Sequence, residues 1–163
     1  MAETLAVQEM LPNKFEPKRK FRWVLAIEGI DSYLIKSTAR PSITVASLPI
    51  PFINHTRYVA GKSTFGSMAV ALHDPIAPSG AQQVMEWIRT HFESVSGRAG
   101  YADFYKRDLQ LKMLDPVGTV VEKWDIKGAF ITNATFGDVT YDDESGAMDV
   151  TLELQFDNAV LQY

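Results

Sequence analysis

The sequence lacks cysteine, an excess of basic residues and any long apolar run. Without cysteine, neither a disulfide scaffold nor a thiolate metal site nor a cysteine nucleophile is available. The 16 Lys and Arg residues and 20 Asp and Glu residues give a net charge of -4, whereas nonspecific binding of nucleic acid needs an excess of basic residues. No stretch approaches the roughly 20 apolar residues that a membrane-spanning helix needs. The first residues also lack the pattern of a secretory signal, in which a basic region precedes an apolar region. We therefore expect an intracellular, soluble protein.

The composition predicts one globular domain behind a short arm. The chain has 163 residues, of which 46% are hydrophobic and 22% charged, which suits a single packed domain. Residues 1–18 lack clear periodicity and hold Pro12 and Pro17, so they are interpreted as an N-terminal arm. The domain is assigned to residues 19–163.

Alternating apolar and polar residues predict strands along most of this domain. The cleanest alternation runs from Met148 to Phe156, and another starts at Phe21 and ends at Ile27. Gly29 to Asp31 is interpreted as a turn, which predicts a hairpin between that strand and residues 33–37. Three further strand segments follow, 67–72, 109–113 and 120–126, and residues 130–136 are interpreted as a short strand or an extended link.

One segment changes to the helical period. Residues 79–95 place apolar side chains on one face, with Ser79 as the N-cap and Gly97 beyond the end. The apolar face comprises Ala81, Val84, Met85, Ile88, Phe92 and Val95. Seven to nine antiparallel strands with one helix predict a mainly β (α+β) fold, closed as a sandwich or a small barrel.

Residues 44–66 do not fit an ordinary connection. Pro49 and Pro51, with Pro41 just before, exclude a central strand there because each proline removes a ladder donor. The segment is nevertheless apolar, and its large side chains need a surface to bury against. These side chains are Ile50, Phe52, Ile53 and Tyr58. Either their own domain or another copy of the chain provides that surface.

Candidate catalytic motifs are incomplete. Gly61-Lys62-Ser63-Thr64 copies the end of a phosphate-binding loop, but position 56 is Thr and no helix is predicted behind it. The three histidines have no metal-helix spacing, and no G-x-S-x-G elbow occurs. The acidic residues at 138–144 do not match a calcium loop, and a solvated turn is the plainer interpretation. We expect no enzyme activity, no cofactor and no metal.

The charges are unevenly distributed along the chain. A basic block lies near the start and comprises Lys14, Lys18, Arg19, Lys20 and Arg22. Residues 134–163 hold seven acidic residues and neither lysine nor arginine. Three interpretations stay open: nucleic-acid contact, solvated charge beside a strand, or a head-to-tail contact between identical copies.

The order of several short segments resembles the tail tube protein of contractile-tailed bacteriophages. These segments are 36–43, 48–52, 54–59, the stretch 60–65 that leads into a strand ending at His73-Asp74, 124–130, 135–139 and the alternating terminal strand. The similarity runs over about residues 19–158 and depends on order and spacing rather than on one diagnostic motif. Related tubes occur in bacteriocins, extracellular injection machines and type VI secretion.

The resemblance implies two packed antiparallel sheets in a barrel-like sandwich with one flanking α-helix. It further implies homo-hexameric rings stacked into a hollow tube through which DNA and the tape-measure protein pass. The expected partners are the tail sheath protein outside and the baseplate and tail terminator proteins at the ends. The expected location is the virion tail, after synthesis in the host bacterial cytoplasm.

The resemblance also assigns surfaces. In that family a long loop reaches into the adjacent ring; residues 44–66 match its position, which makes Ile50, Phe52, Ile53 and Tyr58 the expected inter-ring contact. The polar face of the last strand is expected to line the lumen, or else to form the exterior under the sheath. Its residues are Asp149, Thr151, Glu153, Gln155 and Asp157. Two alternatives stay open: an injection-system tube (bacteriocin or type VI-like), and a monomeric ligand-binding β-barrel.

Overall fold

The structure, a computed structural model, describes residues 15–163. Most of the expected arm at 1–18, with Lys14, therefore lies outside the described residues. The strands are β1 (Trp23–Ile27), β2 (Ile35–Thr38), β3 (Ile43–Phe52), β4 (His55–Phe65), β5 (Met68–His73), β6 (Arg107–Leu114), β7 (Val120–Thr135), β8 (Asp149–Gln155) and β9 (Asn158–Leu161). The helices are α1 (Gly80–His91) and α2 (Ala102–Tyr105), with a 3-10 turn at Ser32–Leu34.

Seven strands form a bent antiparallel sheet in the order β1-β6-β7-β8-β5-β2, with β9 added on β7. The 16-residue strand β7 belongs to both halves of this sheet. Its residues from Trp124 to Lys127 pair with β9, and its residues from Phe130 to Thr135 pair with β8. Gly128 has a φ of 67° between these two parts, a conformation that glycine adopts without steric cost. The two halves therefore act as two sheets that share one long strand.

One hydrophobic core lies between the two halves. β1 and β6 contribute Leu25, Ile27, Leu109 and Leu111, all buried. β5 and β8 contribute further buried residues, which are Met68, Val70, Leu72, Val150, Leu152 and Leu154. Alternate residues of each strand point into this core, as the period of two requires. The predicted mainly β sandwich of antiparallel sheets with one flanking helix is confirmed, and the sheet stays open rather than closing into a barrel.

Helix α1 covers part of this core. The Ser79 side chain accepts a hydrogen bond from the backbone N–H of Gln82 (3.4 Å), which confirms the predicted N-cap. The helix ends at His91, earlier than predicted, and leaves Phe92 and Val95 exposed. Trp87, absent from the predicted apolar face, is the largest fully buried side chain.

The expected hairpin between the first two strands is wrong. β1 pairs with β6 and β2 pairs with β5, so the two strands lie at opposite ends of the sheet order. The turn after Ile27 directs the chain across the sandwich instead of back along β1. Strand β9, which the sequence analysis did not predict, adds a further strand to β7. Between residues 15 and 163, neither helix is long and apolar enough to cross a bilayer.

Candidate assembly surfaces

Strands β3 and β4 form a two-stranded antiparallel hairpin, the long hairpin, which joins neither half of the sheet. Every residue from 43 to 64 is exposed. Its tip pairs Phe52 with His55, and Ile53 adopts a φ of 51°, which is uncommon for a β-branched residue. Of the two surfaces left open for the proline-rich segment, its own domain is therefore not the one that covers it.

The long hairpin has two different faces. Directly paired residues lie on the same face of a ribbon, and successive residues alternate between faces. The pairs Ile50–Arg57 and Leu48–Val59 therefore share one face with Phe52, whereas Tyr58 pairs with Pro49 on the other face.

The four residues predicted for an inter-ring contact thus do not form one cluster. Ile50 and Phe52 lie together, Ile53 forms the tip, and Tyr58 lies opposite. Leu48 and Val59 were not among the predicted residues, although the alternation of Leu48, Ile50 and Phe52 indicates that Leu48 shares their face. These two residues complete an apolar face, in which Leu48, Ile50, Phe52 and Val59 are 57%, 48%, 73% and 49% exposed.

Two prolines restrict strand pairing at the outer edge of β3. Pro49 and Pro51 occupy alternate positions of β3, so their ring nitrogens point to the same side of the strand. Proline has no N–H to donate, so a proline is tolerated in a paired strand only where its nitrogen points away from the partner strand. The outer edge of β3 therefore lacks two donors near its tip and is a poor template for another strand. Among the described residues, the outer edge of β4 and the apolar face are left as the surfaces through which the long hairpin can bind.

The root of the long hairpin is attached to the sandwich. The Gln155 side-chain amide donates to the Phe65 carbonyl (3.1 Å), and the Phe65 and Phe156 rings pack 5.5 Å apart. The Gly66 N–H donates to the Ser42 carbonyl (3.0 Å). These contacts fix where the ribbon leaves the domain.

A buried carboxylate in β7 holds two distant segments. Glu122 is 5% exposed and accepts hydrogen bonds from the indole Nε1 of Trp124 (2.6 Å), from Lys18 Nζ and from Arg40 Nη1 (3.5 Å). Lys18 belongs to the segment before β1, and Arg40 lies three residues before the long hairpin begins. Burial raises the pKa of Glu122, but Lys18, Trp124 and the charge of Arg40 outweigh it, so its pKa lies below the ordinary value.

The polar face of β8 lies on the outside of its half-sheet. Glu153 lies between Ala69 of β5 and Asn133 of β7, and Thr151 lies between Ala71 and Thr135. The face is therefore built of small and polar side chains. Asp149 and Glu153 belong to it, whereas Asp157 follows the end of β8 and donates its backbone N–H to the Lys127 carbonyl (3.0 Å).

Two of the three acidic residues expected at a lumen are neutralised locally. Lys36 Nζ lies 2.6 Å from Asp149 Oδ2, and Lys106 Nζ lies 2.7 Å from Asp157 Oδ2. The hydrogen bond from Lys36 holds the pKa of Asp149 below its usual value, and the one to Asp157 raises the pKa of Lys106. The Glu153 carboxylate accepts a hydrogen bond from the Ser67 hydroxyl (2.8 Å) and has no cation within 4 Å among the residues that the structure describes.

The phosphate-loop fragment has no phosphate-binding geometry. Residues 61–64 lie within strand β4 and are followed by β5, so no helix N-terminus stands behind them. In residues 15–163, no group of three His, Asp or Glu side chains lies close enough to hold a metal ion.

The two halves of the bent sheet end in two strand edges that face a common cleft. β1 pairs only with β6, and β2 pairs only with β5, within the described part of the chain. The cleft has a volume of about 510 Å³ and is lined by both strands, through Trp23 and through Lys36, Ser37 and Thr38. Unpaired sheet edges and an exposed apolar ribbon are surfaces that proteins typically bury by associating with other chains.

Comparison with known proteins gives similarity in structure only. No family model matches the sequence, and no curated protein is similar to it. Among solved structures, the cap of the anti-feeding prophage has a TM-score of 0.76 at 14% identity, covering 97% of this chain and 99% of that chain. The six-fold symmetrised baseplate of the same particle gives 0.68 at 14% identity, covering 90% and 96%.

Two other particles have chains of the same fold. The PVC sheath-tube complex, an extracellular contractile injection system, has a TM-score of 0.70 at 13% identity, covering 98% and 99%. The SPP1 tail tube has a TM-score of 0.53 at 11% identity, covering 89% and 78%. The chain therefore has the fold of the tube proteins of phage-like tails and injection systems, as its sequence resemblance indicated.

Proposed function

We propose that this chain is the inner tube subunit of a contractile tail, assembling as homo-hexameric rings that stack into a hollow tube. The observation that carries the proposal is the long hairpin, whose residues from 43 to 64 are all exposed on a domain with the fold of tube and cap proteins. One structural neighbour belongs to a six-fold symmetrised baseplate, and that symmetry supports a ring of six copies. The sheath would lie outside the tube, with baseplate and terminator proteins at its ends.

The apolar face of the long hairpin is proposed to bind the adjacent ring. Burying a large apolar side chain completely contributes about 1.5–3 kcal/mol. The four side chains of this face are already partly covered, so their remaining exposure corresponds to roughly 3–7 kcal/mol per hairpin before the cost of association. Repeated around a ring, contacts of this size are sufficient for a stable stack. Ile53 and Tyr58 would add contacts at the tip and on the opposite face.

A charge placed on this face tests the contact. Phe52→Asp introduces a carboxylate at the most exposed position of the apolar face, so we expect no long tubes in negative-stain micrographs. Val117→Asp is the matched control, because Val117 is 89% exposed in the turn between β6 and β7. Both variants should unfold at the temperature of the unmodified protein. Long tubes of Phe52→Asp, at normal protein concentration, would refute the contact.

The outer face of β8 is proposed to line the channel. Small and polar side chains with a residual negative charge at Glu153 repel a polyanion and let it slide. Glu153→Lys with Thr151→Lys makes this face basic without breaking an ion pair. We expect assembled tubes of this variant to retain a DNA fragment that unmodified tubes release. Glu86→Lys on the outer side of α1 is the control; equal release from all three tubes would place this face elsewhere.

The cargo distinguishes two forms of the same proposal. In a phage virion, DNA and the tape-measure protein pass through the tube, after synthesis of the subunit in the host cytoplasm. The higher TM-scores to the anti-feeding prophage and the PVC particle favour an injection system as the second candidate. Neighbouring genes for a capsid and terminase would support the phage form, and effector genes without a capsid the other. A monomer at all concentrations in size-exclusion chromatography would overturn both forms and favour a monomeric ligand-binding domain, which would be an open sandwich and not a closed β-barrel.

A further inference from the structure

The cleft between the two sheet edges is basic. Five of its lining residues are cations, and none is acidic; the cations are Lys18, Arg19, Lys20, Lys36 and Arg40. Glu122 and Asp149 neutralise three of them from outside the lining. Arg19 has only an exposed carboxylate 3.8 Å away, and Lys20 has no acidic partner within 4 Å among residues 15–163. The cleft therefore keeps positive charge that residues 15–163 leave uncompensated.

The cleft also has an apolar wall. Trp23 of β1 and Leu111 and Met113 of β6 line it beside the cations. Its occupant therefore has to bring apolar side chains together with negative charge. A simple inorganic anion would leave the apolar wall uncovered.

The loop between β7 and β8, residues 136–148, has the complementary composition and is called the acidic loop. It contains four acidic residues and no cation, and none of the four forms an ion pair within the described chain. These residues are Asp138, Asp142, Asp143 and Glu144. Between them, Val139 is 81% exposed and Tyr141 is fully exposed.

We propose that the acidic loop of one copy binds in the basic cleft of a neighbouring copy, an inference that rests on the proposed tube function. Val139 and Tyr141 pack against the apolar wall, and the flanking carboxylates meet Arg19 and Lys20 at the rim. Each copy carries one loop and one cleft, so the contact is heterologous and continues from subunit to subunit. The occupant also covers the region where β1 and β2 leave their edges unpaired.

The electrostatic part of the contact is testable by exchanging the charges. Asp142→Lys with Glu144→Lys reverses the loop while Asp143, which accepts from the N–H groups of Ser145 and Gly146, stays in place. Arg19→Glu with Lys20→Glu reverses the cleft and spares the partners of Glu122. We expect each reversal alone to raise the concentration needed for assembly at least tenfold. Combining both reversals in one chain, or mixing the two variants equally, should restore assembly.

Controls separate this contact from the tube proposal. Glu86→Lys with Asp103→Lys changes the charge equally outside both surfaces and should leave assembly unchanged. Normal assembly of either reversed variant, or no recovery on combining them in folded protein, overturns this contact and leaves the tube proposal standing. An unmodified protein that never assembles overturns both. If a DNA fragment binds the unmodified protein but not the cleft variant, with the loop variant binding normally, the occupant is a polyanion and the inference is wrong.

Discussion

Replacing Glu122 by Gln removes one buried negative charge while keeping its shape and its acceptor for Trp124. Breaking a buried ion pair costs about 3–5 kcal/mol when it leaves a buried charge unpaired. Here the side chains left behind, Lys18 and Arg40, are 49% and 61% exposed and regain water. Because exposed pairs contribute about 0.2–1 kcal/mol and charged hydrogen bonds about 1.5–3 kcal/mol, we expect the free energy of unfolding to fall by about 1–2 kcal/mol at pH 7.

The stability difference between the unmodified protein and Glu122→Gln depends on pH. The pKa of Glu122 in the folded protein lies below its ordinary value of 4.5. Its contribution to stability is therefore complete above that ordinary value and is lost as the pH falls through the lower, folded value. The unmodified protein and Glu122→Gln should differ at pH 7 and converge in acid.

Chemical denaturation at a series of pH values from 7 to 3 measures the difference. For a chain of this length, 1–2 kcal/mol corresponds to a melting shift of roughly 2–8 °C at neutral pH. Glu144→Gln is the matched control, because Glu144 is exposed and has no ion pair in residues 15–163; it should change stability by less than about 0.5 kcal/mol. A difference at pH 7 that persists unchanged in acid would refute the ionic account of this site.

Two further substitutions test the sandwich itself by the same denaturation measurement. Leu152→Ala removes a completely buried side chain from β8 and should lower the free energy of unfolding by about 2–5 kcal/mol; a loss under 1 kcal/mol would contradict its place in the core. Gly128→Ala places a methyl group at a φ of 67° and against the Asp157 carboxylate, so we expect a loss of roughly 1–3 kcal/mol. Stability equal to that of the unmodified protein would show that β7 does not need its glycine bend.

The strand and helix types follow from local patterns. The alternation from Met148 to Phe156 predicted β8, and each of its apolar residues from Val150 onward is buried. The helical period and Ser79 predicted α1 and its start. Trp87 was not predicted to be buried; its indole donates a hydrogen bond to the Tyr105 carbonyl (2.7 Å) of α2, a contact between segments distant in the chain.

The candidate assembly surfaces were predictable in part. Apolar content without a central strand indicated residues 44–66, but Ile50, Phe52, Ile53 and Tyr58 were predicted as one contact. Only the pairing register separates Tyr58 from Ile50 and Phe52, since a ribbon's faces depend on which residues stand opposite each other. The inter-ring contact and the lumen face of Asp149, Glu153 and Asp157 stay predictions.

The sequence by itself determined most strands of the sandwich and the helix α1, because the pleat and the helix impose their periods on each segment independently, but it predicted neither β9 nor the strands of the long hairpin. The tertiary structure alone decided which strands are neighbours. β1 pairs with β6 and β2 with β5, far apart in the chain, because burying both apolar faces in one core outweighs the nearness of a hairpin. The tertiary structure also brings Lys18 and Arg40 to Glu122, since a buried carboxylate is stable only where folding places cations and hydrogen-bond donors beside it.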